Sequence, residues 1–169
     1  MIKDDPLLDC RIKGLERNSP VKVIIANKIN FNSDYKLFQN DTKTIIVYSD
    51  TDQNREDITK FQENNIHFLA APAHNNLIDL NYCLKELNRM SINSILVEGG
   101  SIISTILLQQ GLIDEINWFK SSKIIGSDGK NAINEMDFTN MKDVISDFSL
   151  KDVTQIDDED CLMVYRKKS

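Results

Sequence analysis

The chain has 169 residues, of which 41% are hydrophobic and 27% charged, and its formal net charge is −6. That length suits one domain with a real core, and the composition is that of an ordinary soluble globular protein. The acidic balance argues against a general nucleic-acid binder but leaves small anionic ligands open.

No apolar run approaches the ~20 residues needed to span a bilayer, so no membrane partner is expected. Met1 leads straight into Ile2-Lys3-Asp4-Asp5-Pro6 with no signal peptide, and the expectation is a cytoplasmic protein. Cys10, Cys83 and Cys161 form no CxxC pair and read as reduced thiols. His67 and His74 lack zinc-ligand spacing, so no metal site is expected. A Gly-x-Ser-x-Gly elbow and a Walker loop are both missing, which argues against a hydrolase or an NTPase.

Asp4 to Arg11 has no regular period, and from spacing alone it reads as a solvated terminus. Val21 to Ala26 reads as a strand ending in Asn27, and Thr44 to Tyr48 as a second, buried strand. Asn54 is expected to cap a helix running to about Asn64, with Ile58 and Phe61 facing inward. Ile66 to Leu69 is a short third strand. Asn76 is expected to cap the next helix, with Asp79 completing a capping-box-like pair and Leu77, Leu80, Leu84 and Leu87 on one face.

The most informative stretch runs from Ile95 to Gly111. Ile95, Leu96 and Val97 suit a strand buried on both faces. Gly99 and Gly100 permit a sharp turn and close approach of a ligand. Ser101 is a candidate N-cap, and Ile102, Ile103, Ile106 and Leu107 give the helix an apolar face. Gly111 fits the left-handed position after the helix, followed by apolar Leu112. Such a unit aims free N–H groups and a positive helix end at the space above the glycines, which favours a phosphate. The competing interpretation is a simple reversal of chain direction. Glu98, directly after the expected strand, needs a partner if buried.

Glu115 to Phe119 is a further strand, and Trp118 and Phe119 are either core or part of a dimer surface. Lys123-Ile124-Ile125-Gly126 leads into a glycine-containing loop. Val144 to Thr154 and Cys161 to Lys167 read as an antiparallel hairpin around the acidic turn Asp157-Asp158-Glu159-Asp160. The alternation of strands and helices implies an α/β fold with a mostly parallel central sheet, flanking helices and a C-terminal hairpin, its carboxyl edge being the place for a ligand.

Four stretches together resemble the C-terminal reductase domain of the bacterial bifunctional riboflavin-biosynthesis deaminase–reductase. They are Asp4-Asp5-Pro6-x-Leu8-x-x-Arg11, the strand ending at Ala26-Asn27, Ile95 to Gly100 with its helix, and Gly111-Leu112-Ile113-Asp114-Glu115 through Gly126. The C-terminal hairpin, Asp158 to Tyr165, is similar to the family's last two strands. The resemblance implies a dihydrofolate-reductase-like fold over residues 1–169 and NADPH-dependent reduction of 5-amino-6-(5-phosphoribosylamino)uracil to its ribitylamino form. It implies that Asp4 and Asn27 contact NADPH. The turn and helix start at Gly99, Gly100, Ser101, Ile102, Ile103, Ser104, Thr105 and Ile106 would hold its phosphates. It further implies that Leu8, Arg11 and Glu98 contact the substrate, with Arg11 near the ribose phosphate. Glu98 is the single candidate proton donor.

The chain departs from the family at Ala26, where an aspartate is usual, and at Ser122, where a proline is usual. Family members also carry a strand with a Ser-Leu-Asp-Gly-type motif, a helix and another strand before the Asp-Asp-Pro motif, and a zinc deaminase domain. This chain starts almost on that motif, which is expected of a fragment of a longer protein, of a chain whose missing strands a separate chain supplies, or of a decaying remnant, and deamination is not expected of it. A homodimer, a non-catalytic remnant or partner subunit of the same fold, and a dihydrofolate-reductase-type enzyme for another substrate are the alternatives.

Overall fold

The computed structural model describes residues 5–31, 34–39, 41–61, 65–126, 129–136, 138, 145 and 147–168. They fall into two compact units, the first ending at Ser94 and the second beginning at Ile95.

The first unit is built on three parallel strands, β1 (Lys22–Ala26), β2 (Thr44–Ser49) and β3 (Ile66–Ala71), in the order β1-β2-β3. Every residue of β2 is buried, as a central parallel strand covered on both faces requires. Its side chains alternate between two cores. Ile46 and Tyr48 join Ile24, Leu37, Phe38 and Ile66 on one side. Ile45 and Val47 join Ala71, Ile78, Cys83 and Leu87 on the other. The first core is closed by Phe31, Phe38, Phe61 and Phe68, whose rings meet in stacked and edge-on pairs with centroids 5.5–6.1 Å apart.

Helix α1 spans Asp52–Ile58. Its cap is Thr51, whose side chain accepts from the Asn54 amide. Asn54 is therefore a buried residue of the first turns rather than the expected cap. Ile58 and Phe61 pack inward as expected. The helix ends at Ile58 with Thr59 as its C-terminal cap, earlier than the expected end near Asn64, and the amides of Thr59, Lys60 and Phe61 turn to carbonyls three residues back.

The second helix of this unit also starts later than its sequence suggests. Asn75 and Asn76, both at positive φ, form the two-residue turn of a small hairpin, β4 (Ala73–His74) and β5 (Leu77–Ile78). Asparagine tolerates this left-handed backbone, and such a turn matches the twist of the strands it joins. The capping role passes to Asp79, which accepts from the Tyr82 amide at 3.0 Å, and α2 runs over Leu80–Arg89. Leu77 is thereby excluded from the helix and exposed, while Leu80, Cys83 and Leu87 are buried.

In the second unit, helix α3 spans Ser101–Gln109 and is capped by Gly100, not by Ser101. Its buried face is Thr105, Leu107 and Leu108, and Ile102 points outward at 58% exposure. The exit is as expected. Gly111, at φ +65, donates to the Leu108 carbonyl and Leu112 donates to that of Leu107, the paired bonds of a left-handed helix stop.

The rest of this unit is an antiparallel sheet of β6 (Glu115–Ser121), β7 (Phe148–Gln155) and β8 (Asp160–Lys167), ordered β6-β8-β7. The hairpin turn is organised by Asp157, whose carboxylate accepts from the Glu159 and Asp160 amides. A bulge in β7 between Leu150 and Asp152 lets Leu150 oppose Tyr165 and Val153 oppose Met163. Leu150 and Val153 therefore share a face with Trp118, the cross-strand partner of Met163. Trp118 and Phe119 are not core: they are 39% and 69% exposed.

One strand expectation fails. Ile95–Val97 carries no regular structure and is exposed, Leu96 at 75%. A strand needs a hydrogen-bonding neighbour, and no described strand pairs with this run.

Candidate functional site

The parallel strands bring their carboxyl ends to one edge, where ligands of α/β sheets bind. There the first unit opens a cleft of about 1390 Å³, large even for a cofactor site. Asn27 and Lys28 follow β1, Ser49 ends β2, and Thr51 and Asn54 belong to the start of α1, and all five line the cleft.

Asn54 fastens this edge together. It is 1% exposed. Its Nδ2 donates to the Asn27 carbonyl at 2.8 Å and to the Ser49 carbonyl at 2.7 Å. Its Oδ1 accepts from the Ile29 amide at 3.0 Å. The Ser49 hydroxyl also donates to the Asn27 carbonyl, at 2.6 Å. The Asn27 side-chain amide donates in turn to the Asn76 carbonyl, tying β1 to the hairpin turn. Asn27 thus lines the cleft, together with Asn54 and Lys28, which were not anticipated as site residues. An asparagine three residues into a helix start looks like a cap in sequence, and only the meeting of β1 with β2 reveals its other partners.

On the wall of the cleft, Asp57 pairs with Lys60. The Lys60 ammonium holds the Asp57 carboxyl below the usual carboxylate range, and Gln53 adds to the effect.

Of the residues expected to meet substrate, Leu8 sits at φ +49 and packs against the first core, and Arg11 is exposed in the same unit. Asp4 lies outside the described residues.

The glycine turn belongs to the second unit. Gly99 and Gly100 take φ +97 and +94, and an added Cβ on either would meet nothing within 4 Å. The first turn of α3 contains no acidic residue and no side chain caps it. Its leading N–H groups have no side-chain cap, and an uncapped helix start of this kind is chemistry for a phosphate. Ser101, Ile103, Ser104 and Ile106 are half-buried. The Thr105 hydroxyl donates to the Ser101 carbonyl at 2.6 Å and accepts from the Asn134 amide at 2.8 Å. Glu98 is exposed, so its carboxylate does not need the protein partner that burial would have required. Glu98 and Arg11 belong to different units.

Among the described residues no group of three or more His, Cys, Asp or Glu side chains could hold a metal, and no helix is long and apolar enough to cross a membrane.

Comparison with known proteins places this geometry in a family. The chain is 25% identical over 166 residues to the riboflavin biosynthesis protein RibD of Actinobacillus pleuropneumoniae, covering 98% of this chain and 43% of that protein. It is 27% identical over 141 residues to a 5-amino-6-(5-phosphoribosylamino)uracil reductase of Buchnera aphidicola, covering 77% and 65%. The chain thus spans less than half the length of the RibD relative. The solved structure of Acinetobacter baumannii RibD superposes with a TM-score of 0.78 at 22% identity, over 99% of this chain and 44% of that one. The fold is accordingly the expected α/β fold, with a parallel sheet, helices and a C-terminal antiparallel hairpin. The family model for the RibD C-terminal domain matches residues 1–162, and the chain belongs to that family.

Proposed function

We propose that residues 1–169 act as a single reductase domain that uses NADPH to convert 5-amino-6-(5-phosphoribosylamino)uracil to its ribitylamino form in riboflavin biosynthesis. Membership of the RibD C-terminal domain family carries this reading. Two features support a dinucleotide ligand: the cleft at the ends of β1 and β2, and the unobstructed glycine turn before α3.

The cofactor, when bound, supplies the hydride that reduces the ribose carbon. The protein's part is to align and to bind. Asn27 and Asp4 contact the cofactor, and the amides of Gly99 to Ile106 contact its phosphates. Arg11 offers two parallel N–H bonds to the ribose phosphate, beside Leu8. In a ring-opened imine substrate the carbon takes the hydride and the nitrogen takes a proton, and Glu98 is the group assigned to relay that proton. The setting is cytoplasmic.

A second reading is favoured by the exposure of Ile95–Val97 and Phe119. Such apolar surface marks a place for another chain. In this reading the protein is a partner subunit or inactive remnant, completed by a second copy or by a chain that supplies strands.

Isothermal titration of the whole chain with NADPH separates the two. Micromolar binding, weakened by a Gly100→Ala change, supports the reductase. Absence of binding overturns it. Turnover of the pyrimidine substrate that survives Arg11→Ala without a rise in KM would remove Arg11 from its role.

A further inference from the structure

The main-chain pairing of β1 with β2 ends at Ala26 and Tyr48. Asn27 is the first residue past that ladder, where a buried main-chain group needs a new partner. Side chains supply it. The Asn27 carbonyl accepts from Ser49 Oγ at 2.6 Å and from Asn54 Nδ2 at 2.8 Å. Two residues on, the Ile29 amide donates to Asn54 Oδ1 at 3.0 Å. One side-chain amide from α1 therefore holds residues 27–29 at both ends. Its bond to the Ser49 carbonyl, at 2.7 Å, fixes the same segment against the end of β2.

This segment is a wall of the cleft, which Asn27, Lys28 and Ile29 all line. With the Asn27 carbonyl turned to α1, the planar trans peptide turns the Lys28 amide the other way. The direction of that peptide is thus set from behind. A wall held in one conformation before a ligand arrives spares the ligand the cost of ordering it. Asn54 itself is 1% exposed, so its influence on a ligand runs through the main chain it holds.

We propose that Asn54 is a positioning residue of this cleft, keeping residues 27–29 in the conformation that receives the dinucleotide. The proposal rests on the reading that the cleft binds NADPH, and it assigns Asn54 a part in affinity beyond its part in stability.

The test separates the two with a control. Leu87→Ala opens a hole in the other core of the same unit, outside the cleft lining, and destabilises without touching the wall. Isothermal titration with NADPH compares the whole chain with Asn54→Ala and Leu87→Ala, at a temperature where circular dichroism shows all three folded. Asn54→Ala is expected to weaken NADPH about tenfold or more, as loss of a pre-ordered wall implies. Leu87→Ala is expected to leave the affinity unchanged. Equal affinity of Asn54→Ala and the wild type overturns the role, and so does an equal loss in Leu87→Ala. Hydrogen exchange without cofactor reads the wall directly. The Ile29 amide should exchange faster in Asn54→Ala than in Leu87→Ala, and protection that survives Asn54→Ala overturns the role whatever the cleft binds. Asn54→Ser, which leaves a hydroxyl and room for a bridging water, is read in the same way if Asn54→Ala does not fold. A wild type that binds no NADPH overturns the cofactor reading and this role with it.

Discussion

The side-chain amide of Asn54 donates to the main-chain carbonyl of Asn27 at 2.8 Å, 27 residues away in sequence. One buried side chain thus joins the start of α1 to the end of β1, and through the Ser49 carbonyl to the end of β2. Removing it strands several buried backbone groups, each worth roughly 1–3 kcal/mol. Asn54→Ala should therefore lower unfolding stability by about 2–4 kcal/mol. Urea denaturation measures the loss, and an unchanged midpoint would remove Asn54 from this role.

Gly100 tests the turn in the second unit. At φ +94 any L side chain is strained even though nothing crowds it. Gly100→Ala should cost about 1–3 kcal/mol of local strain. Thermal melting reads this loss. If the turn holds a phosphate, the same change weakens NADPH by more than the melting shift explains, because the new methyl enters the space the phosphate needs.

Cys83 is 1% exposed, and burial pushes its thiol up to about 11. The thiolate is the reactive form, so at pH 8 this cysteine should resist alkylation. Iodoacetamide followed by peptide mass mapping should label the half-buried Cys10 and Cys161 before Cys83. In denaturing urea the difference should vanish. Rapid native labelling of Cys83 would contradict its burial between β2 and α2.

Glu115 and Arg166 give the second unit a pH dependence. Arg166 Nε donates to the Glu115 carboxylate at 2.7 Å, and that bond, with Asn117, holds the carboxyl below its ordinary 4.5. A carboxyl depressed in the folded state contributes stability that is complete above its unfolded value and is lost as pH falls through the folded one. The melting temperature should therefore drop on acidification below about 4.5. Glu115→Gln should flatten that acid limb and leave neutral pH little changed, since the pair is exposed.

Much of the first unit was legible in the sequence. The apolar runs of β1, β2 and β3 announce buried strands because a parallel sheet hides both faces. The stop at Gly111 was equally plain, because glycine is the residue that adopts a left-handed backbone without strain. The helix starts were less plain. Asn54 and Asn76 both look like caps, yet Thr51 and Asp79 hold those positions. The deciding contacts of Asn54 lie across the sheet, and those of Asn76 lie across a hairpin, beyond any local window. The apolar run at Ile95 misled for a related reason. Hydrophobic pattern reports what a segment is able to bury, and a strand forms only where another strand offers its edge. In the candidate site, Asn27 was found through resemblance. Lys28 had no signal beyond being a lysine after a strand, because only the folded edge brings it to the cleft.

The irregularity in β7 sets a limit on length variation in this chain. Leu150 and Val153 differ in parity and still lie on one side of the sheet, because an additional residue stands between them. Deleting Lys151 would restore simple alternation with both flanks still paired and facing as they do now, whereas deleting Thr154 would turn Asp152 and Val153 to the opposite face or break their pairing. The tip at Asp157–Glu159 accepts a gained or lost residue far more readily, since it leaves both flanking strands in phase. A single-residue deletion scan of the hairpin should therefore be silent at its apex and at Lys151, and damaging at the paired positions between them.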